Sequence, residues 1–139
     1  MTDKLTPGQR SRNMSRIRSK DTSPEMAVRR IVHGLGFRYR LHRKDLPGKP
    51  DLTLPRLKKV IFVHGCFWHQ HDDPKCKIVR KPKSRKDYWY PKLRRNVERD
   101  REHQKRLKKL GWQFILIWEC EVENTSKLTR KLSEFLNRK

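Results

Sequence analysis

Residues 58–76 read KKVIFVHGCFWHQHDDPKC, and this stretch decides the fold. Its first part is an unbroken apolar run from Val60 to Val63, which is typical of a strand buried on both faces of a sheet. The run ends at His64, and two cysteines, two more histidines and a Phe-Trp pair follow Gly65 within the same stretch. The stretch therefore predicts a central strand that leads into a loop rich in metal-ligand types.

Apolar patterns on either side of this strand predict the remaining elements. The predicted order is a helix at 21–37, a strand at 37–42, a turn running into a second strand at 47–54, a strand at 58–65, a helix from about Pro91 to Leu110, a strand at 112–120 and a helix at 125–139. Thr22 and Glu25 have the spacing of a capping box, and Gly36 ends the first helix. The predicted fold class is α/β, with a small mixed sheet flanked by helices.

The charge of the chain indicates a polyanionic partner. Its 37 Lys and Arg against 15 Asp and Glu give a net charge of +22, which suits nucleic acid or an anionic membrane surface. No apolar run approaches the roughly 18 residues of a membrane span, and no signal-peptide core follows the basic N-terminus. Three cysteines argue against a disulfide framework and for a reducing interior. We expect a cytoplasmic bacterial protein.

The length suits one domain, which we place at residues 21–139. Residues 1–20 are basic and poor in apolar groups, so we interpret them as an N-terminal arm. Such an arm either becomes ordered on an anionic partner or serves only as a solubilising tail.

Asp51 is a candidate metal ligand. A hairpin would bring it beside the end of the next strand, where a carboxylate and a backbone carbonyl form an all-oxygen site suited to Mg²⁺. An isolated Asp at a strand start more commonly faces solvent, but His64 and His69 lie close by in sequence. Glu25 is explained by helix capping alone, and it could also serve the same metal site.

A second candidate site combines cysteine and histidine. Cys66, His71 and Cys76 are spaced C-x4-H-x4-C, and Cys120 ends the last predicted strand. Four ligands of these types suit tetrahedral Zn²⁺ in a closed structural site. Asp73 is another candidate for the third ligand. The alternative is that the cysteines are free thiols packed as small apolar residues.

Aromatic residues lie among the basic ones. Phe67 and Trp68 fall between the proposed zinc ligands, and Trp89 lies in a basic segment, a composition typical of stacking against bases. The alternative is that each aromatic plugs the edge of the core.

On the charged helix, Asp100 interrupts the apolar stripe, either as an active-site carboxylate or, more commonly, as a surface acid paired with an arginine.

Three motifs carry a resemblance to a known family: VHGCFWHQH at 63–71, PGKPD at 47–51 and NVERDR at 96–101. Over residues 10–122 the chain resembles the very-short-patch-repair (Vsr) mismatch endonucleases, which nick DNA beside T:G mismatches produced by deamination of 5-methylcytosine. The resemblance implies a restriction-endonuclease-like core with a degraded PD-(D/E)xK site.

The resemblance also implies roles for individual residues. Asp51 and the main-chain carbonyl of Val63 would bind Mg²⁺, and His69 would be the base or position the water, with His64 and Glu25 assisting through metal-bound water. The structural zinc would fall on Cys66, His71, Cys76 and Cys120. The DNA contacts would be intercalation by Phe67, Trp68 and Trp89, a minor-groove contact by Met14, and contacts to the mismatched pair by Lys92 and Asn96.

The sequence therefore predicts a monomeric, Mg²⁺-dependent, zinc-stabilised DNA endonuclease that nicks double-stranded DNA beside a T:G mismatch and initiates very short patch repair. A sequence-specific or homing-type nicking endonuclease would use the same fold and chemistry. A noncatalytic, zinc-stabilised nucleic-acid-binding protein would bind without cleaving. The combination of Asp51, His64 and His69 disfavours that last alternative.

Overall fold

The computed structural model describes residues 22–66, 69, 71, 76 and 86–138. Within these residues the elements follow the predicted order of one helix, three strands, a helix, a strand and a helix, with a short 3₁₀ segment added after the last strand. They are α1 Ser23–Gly34, β1 Arg40–Leu41, β2 Leu52–Leu54, β3 Lys59–His64, α2 Lys86–Lys109, β4 Gln113–Trp118, the 3₁₀ segment Glu119–Glu123 and α3 Thr125–Asn137.

The four strands form one mixed sheet in the order β1-β2-β3-β4. β2 pairs antiparallel with both β1 and β3, and β3 pairs parallel with β4. Because Leu52 pairs with Ile61, the residue before β2 lies beside the last residues of β3. The hairpin expected from the sequence is confirmed, and it brings Asp51 to the end of the central strand.

β3 is buried on both faces, as its apolar run predicts. Ile61 packs in a cluster with Val28 of α1 and Leu132 of α3, while Val60 and Phe62 pack in a second cluster with Leu107 of α2. Alternate side chains of a strand point to opposite faces, so the two clusters lie on opposite sides of the sheet. α1 and α3 therefore cover one face and α2 covers the other.

A buried lysine joins the sheet to the end of α3. Lys59 is only 2% exposed, and its Nζ donates hydrogen bonds to the carbonyls of Phe135 (2.6 Å), Leu136 (3.4 Å) and Arg138. The last carbonyls of a helix have no partner within the helix, and a cation there also opposes the partial negative charge of the helix end. Lys59 thus satisfies the C-terminus of α3.

Two predicted boundaries were wrong. α2 begins at Lys86 instead of near Pro91, so Pro91 lies inside the helix. Proline removes one hydrogen bond and its ring crowds the carbonyl of Asp87, and burial of Leu93 and Leu107 offsets that cost in a helix of 24 residues. β1 contains two residues instead of six, and it ends where the backbone at His42 turns to a φ of 49°, which is not a strand conformation. No helix among the described residues is long and apolar enough to cross a membrane.

Candidate active site and metal centre

Asp51 lies at the end of the central strand. Its Oδ2 accepts a 2.7 Å hydrogen bond from the N–H of Val63. Burial raises the pKa of Asp51 from 3.8 to about 7, and the neighbouring carboxylate of Glu25 adds to the rise, while the Val63 hydrogen bond opposes it. Two carboxylates held together away from water form a site that a cation would stabilise.

Glu25 projects from the first turn of α1 into the same site. Thr22 caps the helix by accepting a hydrogen bond from the Glu25 N–H, which confirms the predicted cap. The Glu25 side chain is 1% exposed, and both of its carboxylate oxygens contact Nε2 of His42, at 3.1 and 2.9 Å. Arg29, one turn later on α1, donates to the same carboxylate at 3.3 Å. The ligand atoms of Glu25, His42 and Asp51 all lie within 4.8 Å of one another.

A histidine paired with a carboxylate lies near the end of β3. Nδ1 of His69 and Oδ2 of Asp100 on α2 are 2.6 Å apart, and both side chains are partly exposed. A carboxylate at Nδ1 holds the proton on that nitrogen, so Nε2 of the neutral ring is left as a proton acceptor. The sequence did not decide whether Asp100 is an active-site carboxylate or a surface acid. The structure places it against His69.

His64, the last residue of β3, supports the ring of His69. The two imidazole rings stack with centroids 3.8 Å apart and planes within 7°. His64 is 6% exposed, and this burial lowers its pKa from 6.5 to about 4, so the ring is neutral near pH 7. A neutral ring can lie against His69 in either of its protonation states without charge repulsion.

The buried Nδ1 of His64 has no hydrogen-bond partner among the described residues. A small cavity of about 10 Å³ is lined by His64 and four residues of the sheet and α2: Phe62, Asp100, His103 and Gln104. That volume holds about one water molecule, and the lining is mostly polar. The geometry is therefore suited to an ordered water behind the stacked histidines.

The predicted cysteine and histidine ligands come together at one point. The ligand atoms of Cys66, His71, Cys76 and Cys120 lie within 4.8 Å of one another. Nδ1 of His71 is 3.8 Å from Sγ of Cys66 and 3.4 Å from Sγ of Cys120. Bond lengths typical of tetrahedral zinc give sulfur–nitrogen separations of about 3.6 Å, so the donor set fits this ion.

The surroundings of these thiols are consistent with a closed site. Burial raises the pKa of the Cys66 thiol to about 12 and raises the pKa of Cys120. Thiols of high pKa stay protonated and unreactive, but a bound metal ion would deprotonate them. His71 also stacks on Trp118, with ring centroids 4.2 Å apart, so the end of β4 holds the ring of the proposed ligand.

The N-terminal turns of α2 carry three of the predicted DNA-contact residues. Trp89 packs edge-to-face against Tyr88, and Lys92 lies over the Tyr88 ring with its Nζ 2.9 Å from the hydroxyl. Asn96 follows one turn later and is partly buried. The other predicted contacts, Met14, Phe67 and Trp68, lie outside the described residues, as does Asp73.

His42 is the residue that the sequence did not single out. It follows the short strand β1, and its N–H donates to the carbonyl of Asp51 at 3.2 Å, one step beyond the pairing of Leu41 with Leu52. The only route to His42 is the strand register, since an antiparallel hairpin that pairs residue 41 with 52 also brings 42 beside 51. The loop between the strands does not reveal that register.

Comparisons with known proteins identify the relatives of this chain. Residues 2–75 match the family model described as DNA mismatch endonuclease Vsr. The chain is 39% identical over 129 residues to the DNA mismatch endonuclease Vsr of Escherichia coli strain K12, covering 93% of this chain and 81% of that protein.

Two further relatives are named as nicking enzymes. The type II nicking enzyme V.XorIIP of Xanthomonas oryzae pv. oryzae is 47% identical over 137 residues, with 99% of this chain and 98% of that protein covered. The type II nicking enzyme V.NmeAIP of Neisseria meningitidis serogroup A is 42% identical over 136 residues, with 98% and 95% covered.

Proposed function

The chain belongs to the Vsr family of DNA mismatch endonucleases, and we propose that it nicks one strand of duplex DNA beside a T:G mismatch left by deamination of 5-methylcytosine. The nick would start very short patch repair on the DNA of a bacterial cytoplasm. The observation that carries the proposal is the arrangement at the end of β3. There, Val63 contacts the carboxylate of Asp51, and the next residue, His64, stacks on the aspartate-paired His69.

His69 is proposed as the general base. Its Nδ1 faces Asp100 at 2.6 Å, so Nε2 is the nitrogen that can take a proton from an attacking water. Asp100 would hold the tautomer and stabilise the imidazolium that forms. His64 fixes the ring plane from one side by stacking, and its low pKa keeps it neutral while His69 changes charge.

Asp51 and the carbonyl of Val63 are proposed to hold Mg²⁺, with Glu25 assisting from α1. In a strand the N–H and C=O of one residue project to the same edge, so the Val63 carbonyl faces the side from which its N–H reaches Asp51. The raised pKa of Asp51 beside Glu25 supports a cation here. A bound divalent cation would polarise the scissile phosphate and stabilise the charge that develops on it.

Zinc is proposed to have a structural role in the cluster of Cys66, His71, Cys76 and Cys120. The cluster joins the segment after β3 to the 3₁₀ segment after β4, and the Cys66 N–H also meets the carboxylate of Glu119 at 3.3 Å. His69 lies between two of these ligands in sequence. Zinc would therefore fix the loop that carries the proposed base.

The positive charge and the start of α2 are proposed to bind the duplex. Trp89, with Phe67 and Trp68, would intercalate beside the mismatch, where a mispair makes the step easier to open. Lys92 and Asn96 would contact the mismatched pair, and Met14 on the basic arm at residues 1–20 would reach the minor groove. The proposed fold is restriction-endonuclease-like, built on the mixed sheet and acting as a monomer.

The test is nicking of labelled duplexes that differ only in a T:G or C:G pair within a cytosine-methylation site. Reactions contain Mg²⁺ or omit it, because a strong chelator would also remove zinc. We expect one Mg²⁺-dependent nick confined to the T:G duplex. His69→Ala and Asp100→Asn should slow it by about 10²–10⁴-fold, the usual contribution of a general base. The exposed His33→Ala is the matched control and should keep full activity.

A sequence-specific nicking enzyme is the second candidate, and the names of the Xanthomonas and Neisseria relatives favour it. It would cut matched and T:G duplexes at equal rates wherever its recognition sequence occurs. Equal cutting would therefore overturn the mismatch proposal and leave the endonuclease. Binding without cutting in any cation would overturn the proposed catalytic roles.

A further inference from the structure

His42 lies directly opposite Asp51 across the β1–β2 pair. The ladder joins Leu41 to Leu52, and the next step is the hydrogen bond from the His42 N–H to the Asp51 carbonyl. The His42 ring contacts the Glu25 carboxylate, and the ligand atoms of His42, Glu25 and Asp51 lie within 4.8 Å of one another. These contacts place an imidazole beside the proposed cation ligand.

The backbone at His42 has an unusual conformation. Its φ of 49° is in the left-handed region, which few residues other than glycine adopt, although histidine does so more readily than most. Such conformations cost about 1–3 kcal/mol and persist where surrounding contacts hold them. Here the contacts are the Asp51 carbonyl at the backbone and the Glu25 carboxylate at the ring.

The donor atoms are spaced as ligands of one cation. Nε2 of His42 is 2.9 and 3.1 Å from the two oxygens of Glu25, and the Asp51 oxygen completes a group within 4.8 Å. Adjacent ligands of an octahedral ion with bonds of about 2.1 Å lie about 3.0 Å apart. The stacked pair of His64 and His69 is unsuited to share an ion, because an ion in the plane of one ring lies far out of the plane of the other.

We propose that His42 is a nitrogen ligand of the active-site cation, so that Glu25, His42 and Asp51 form a mixed carboxylate–imidazole site. Imidazole adds more to the binding of first-row transition cations than to that of Mg²⁺, which prefers oxygen. The site should therefore prefer Mn²⁺, and Co²⁺ more strongly, over Mg²⁺. The inference rests on the proposed function, because it takes Asp51 as a ligand of the cation that the nicking reaction uses.

The test uses Mn²⁺ as the probe on the full chain, purified without chelators so that zinc stays in place. Pulsed electron paramagnetic resonance reports a ¹⁴N coupling when imidazole binds Mn²⁺ directly. We expect this coupling in the wild-type protein and its loss in His42→Gln, which can still donate to Glu25 but is a poor ligand. His33→Gln, an exposed histidine at the end of α1, is the matched control and should keep the coupling.

Titration separates a ligand from a residue that only positions Glu25. His42→Gln should weaken Mn²⁺ binding by more than about 10-fold, since losing even the partner of a metal ligand costs about 10–100-fold, and weaken Mg²⁺ binding by less than about 3-fold. Equal weakening for both ions would overturn the inference, as would a wild-type protein without nitrogen coupling. Even if His42→Gln unfolds, a wild-type spectrum without nitrogen coupling overturns the inference.

Nicking assays on the same samples distinguish this inference from the proposed function. T:G nicking without nitrogen coupling would overturn the role of His42 and leave the endonuclease proposal standing. Nitrogen coupling in a protein that cuts no duplex would support the cation site and overturn the proposed function.

Discussion

Replacing Asp51 with asparagine should stabilise the cation-free protein while removing cation binding. Asp51 has a folded pKa of about 7 against an ordinary value of 3.8, so its charged form is costly inside the fold. Asparagine has nearly the same size, and its side-chain oxygen can still accept the hydrogen bond from Val63. The variant therefore removes the buried charge and keeps the packing.

The magnitude follows from the pKa of Asp51. One pKa unit corresponds to about 1.4 kcal/mol, so the ionised carboxylate costs up to about 4 kcal/mol above pH 7. Asparagine is also desolvated, so we expect a net gain of about 1–3 kcal/mol at pH 8. Near pH 4 the carboxyl is protonated in the folded protein and about half protonated in the unfolded chain, so the gain should fall below about 1 kcal/mol and vanish at lower pH.

The sign of the pH dependence is set by proton binding. Between about pH 4 and pH 7 the unfolded chain has lost the Asp51 proton and the folded protein still holds it. This group therefore makes the wild-type protein less stable as pH rises through that range, with no further loss above it. Asp51→Asn lacks this loss, so the difference between the two proteins grows from pH 4 to pH 7.

The assay is urea unfolding followed by tryptophan fluorescence at pH 4.5 and pH 8, with and without Mg²⁺. Mg²⁺ should stabilise the wild-type protein and leave Asp51→Asn unchanged, because a ligand that binds only the folded state stabilises it. Asp45→Asn, the same change at an exposed carboxylate paired with Arg43, is the control. A variant less stable than wild type at pH 8, or an equal difference at both pH values, would refute the reasoning.

Three further predictions concern His64, the cysteine cluster and Lys59. The pKa of His64 falls from 6.5 to about 4 on folding, so the unfolded chain takes up a proton first as the pH is lowered. This group should therefore reduce the free energy of unfolding by about 3 kcal/mol between pH 6.5 and pH 4. Acid unfolding of His64→Gln should lack that loss, and an acid profile equal to that of the wild-type protein would contradict the prediction. Cys120→Ser should lower the zinc content below one per chain and lower the melting temperature, as measured by metal analysis and calorimetry, whereas a variant with full zinc would remove Cys120 from the proposed ligands. Lys59→Met should lower the free energy of unfolding, measured with urea, by about 2–3 kcal/mol, because three carbonyls at the end of α3 lose a charged donor. Lys58→Met, at an exposed lysine, is the control, and equal effects of the two changes would exclude this role for Lys59.

The pattern of apolar residues predicted the elements well where it repeats in the same way as the burial of the side chains in the fold. The run from Val60 to Val63 is apolar at every position because both faces of β3 are covered, and the stripe on α3 repeats with the helical period. The predicted start of α2 was wrong because Pro91 is a strong local signal against a helix, and packing against residues distant in sequence outweighs that signal. Ends of elements depend on such contacts more than their centres do.

The sequence by itself determined which residue types are available for chemistry and, through hydrophobic period and turn residues, the order of the elements. Only the tertiary structure decided the partners. Asp100 meets His69 across 31 positions, His71 meets Cys120 across 49, and Glu25 meets His42 across 17. Periodicity acts over a few residues, whereas these pairs depend on strand register and on the way α1 and α2 pack on the sheet. The site is therefore a property of the packing, assembled from residues whose neighbours in sequence do not reveal their partners.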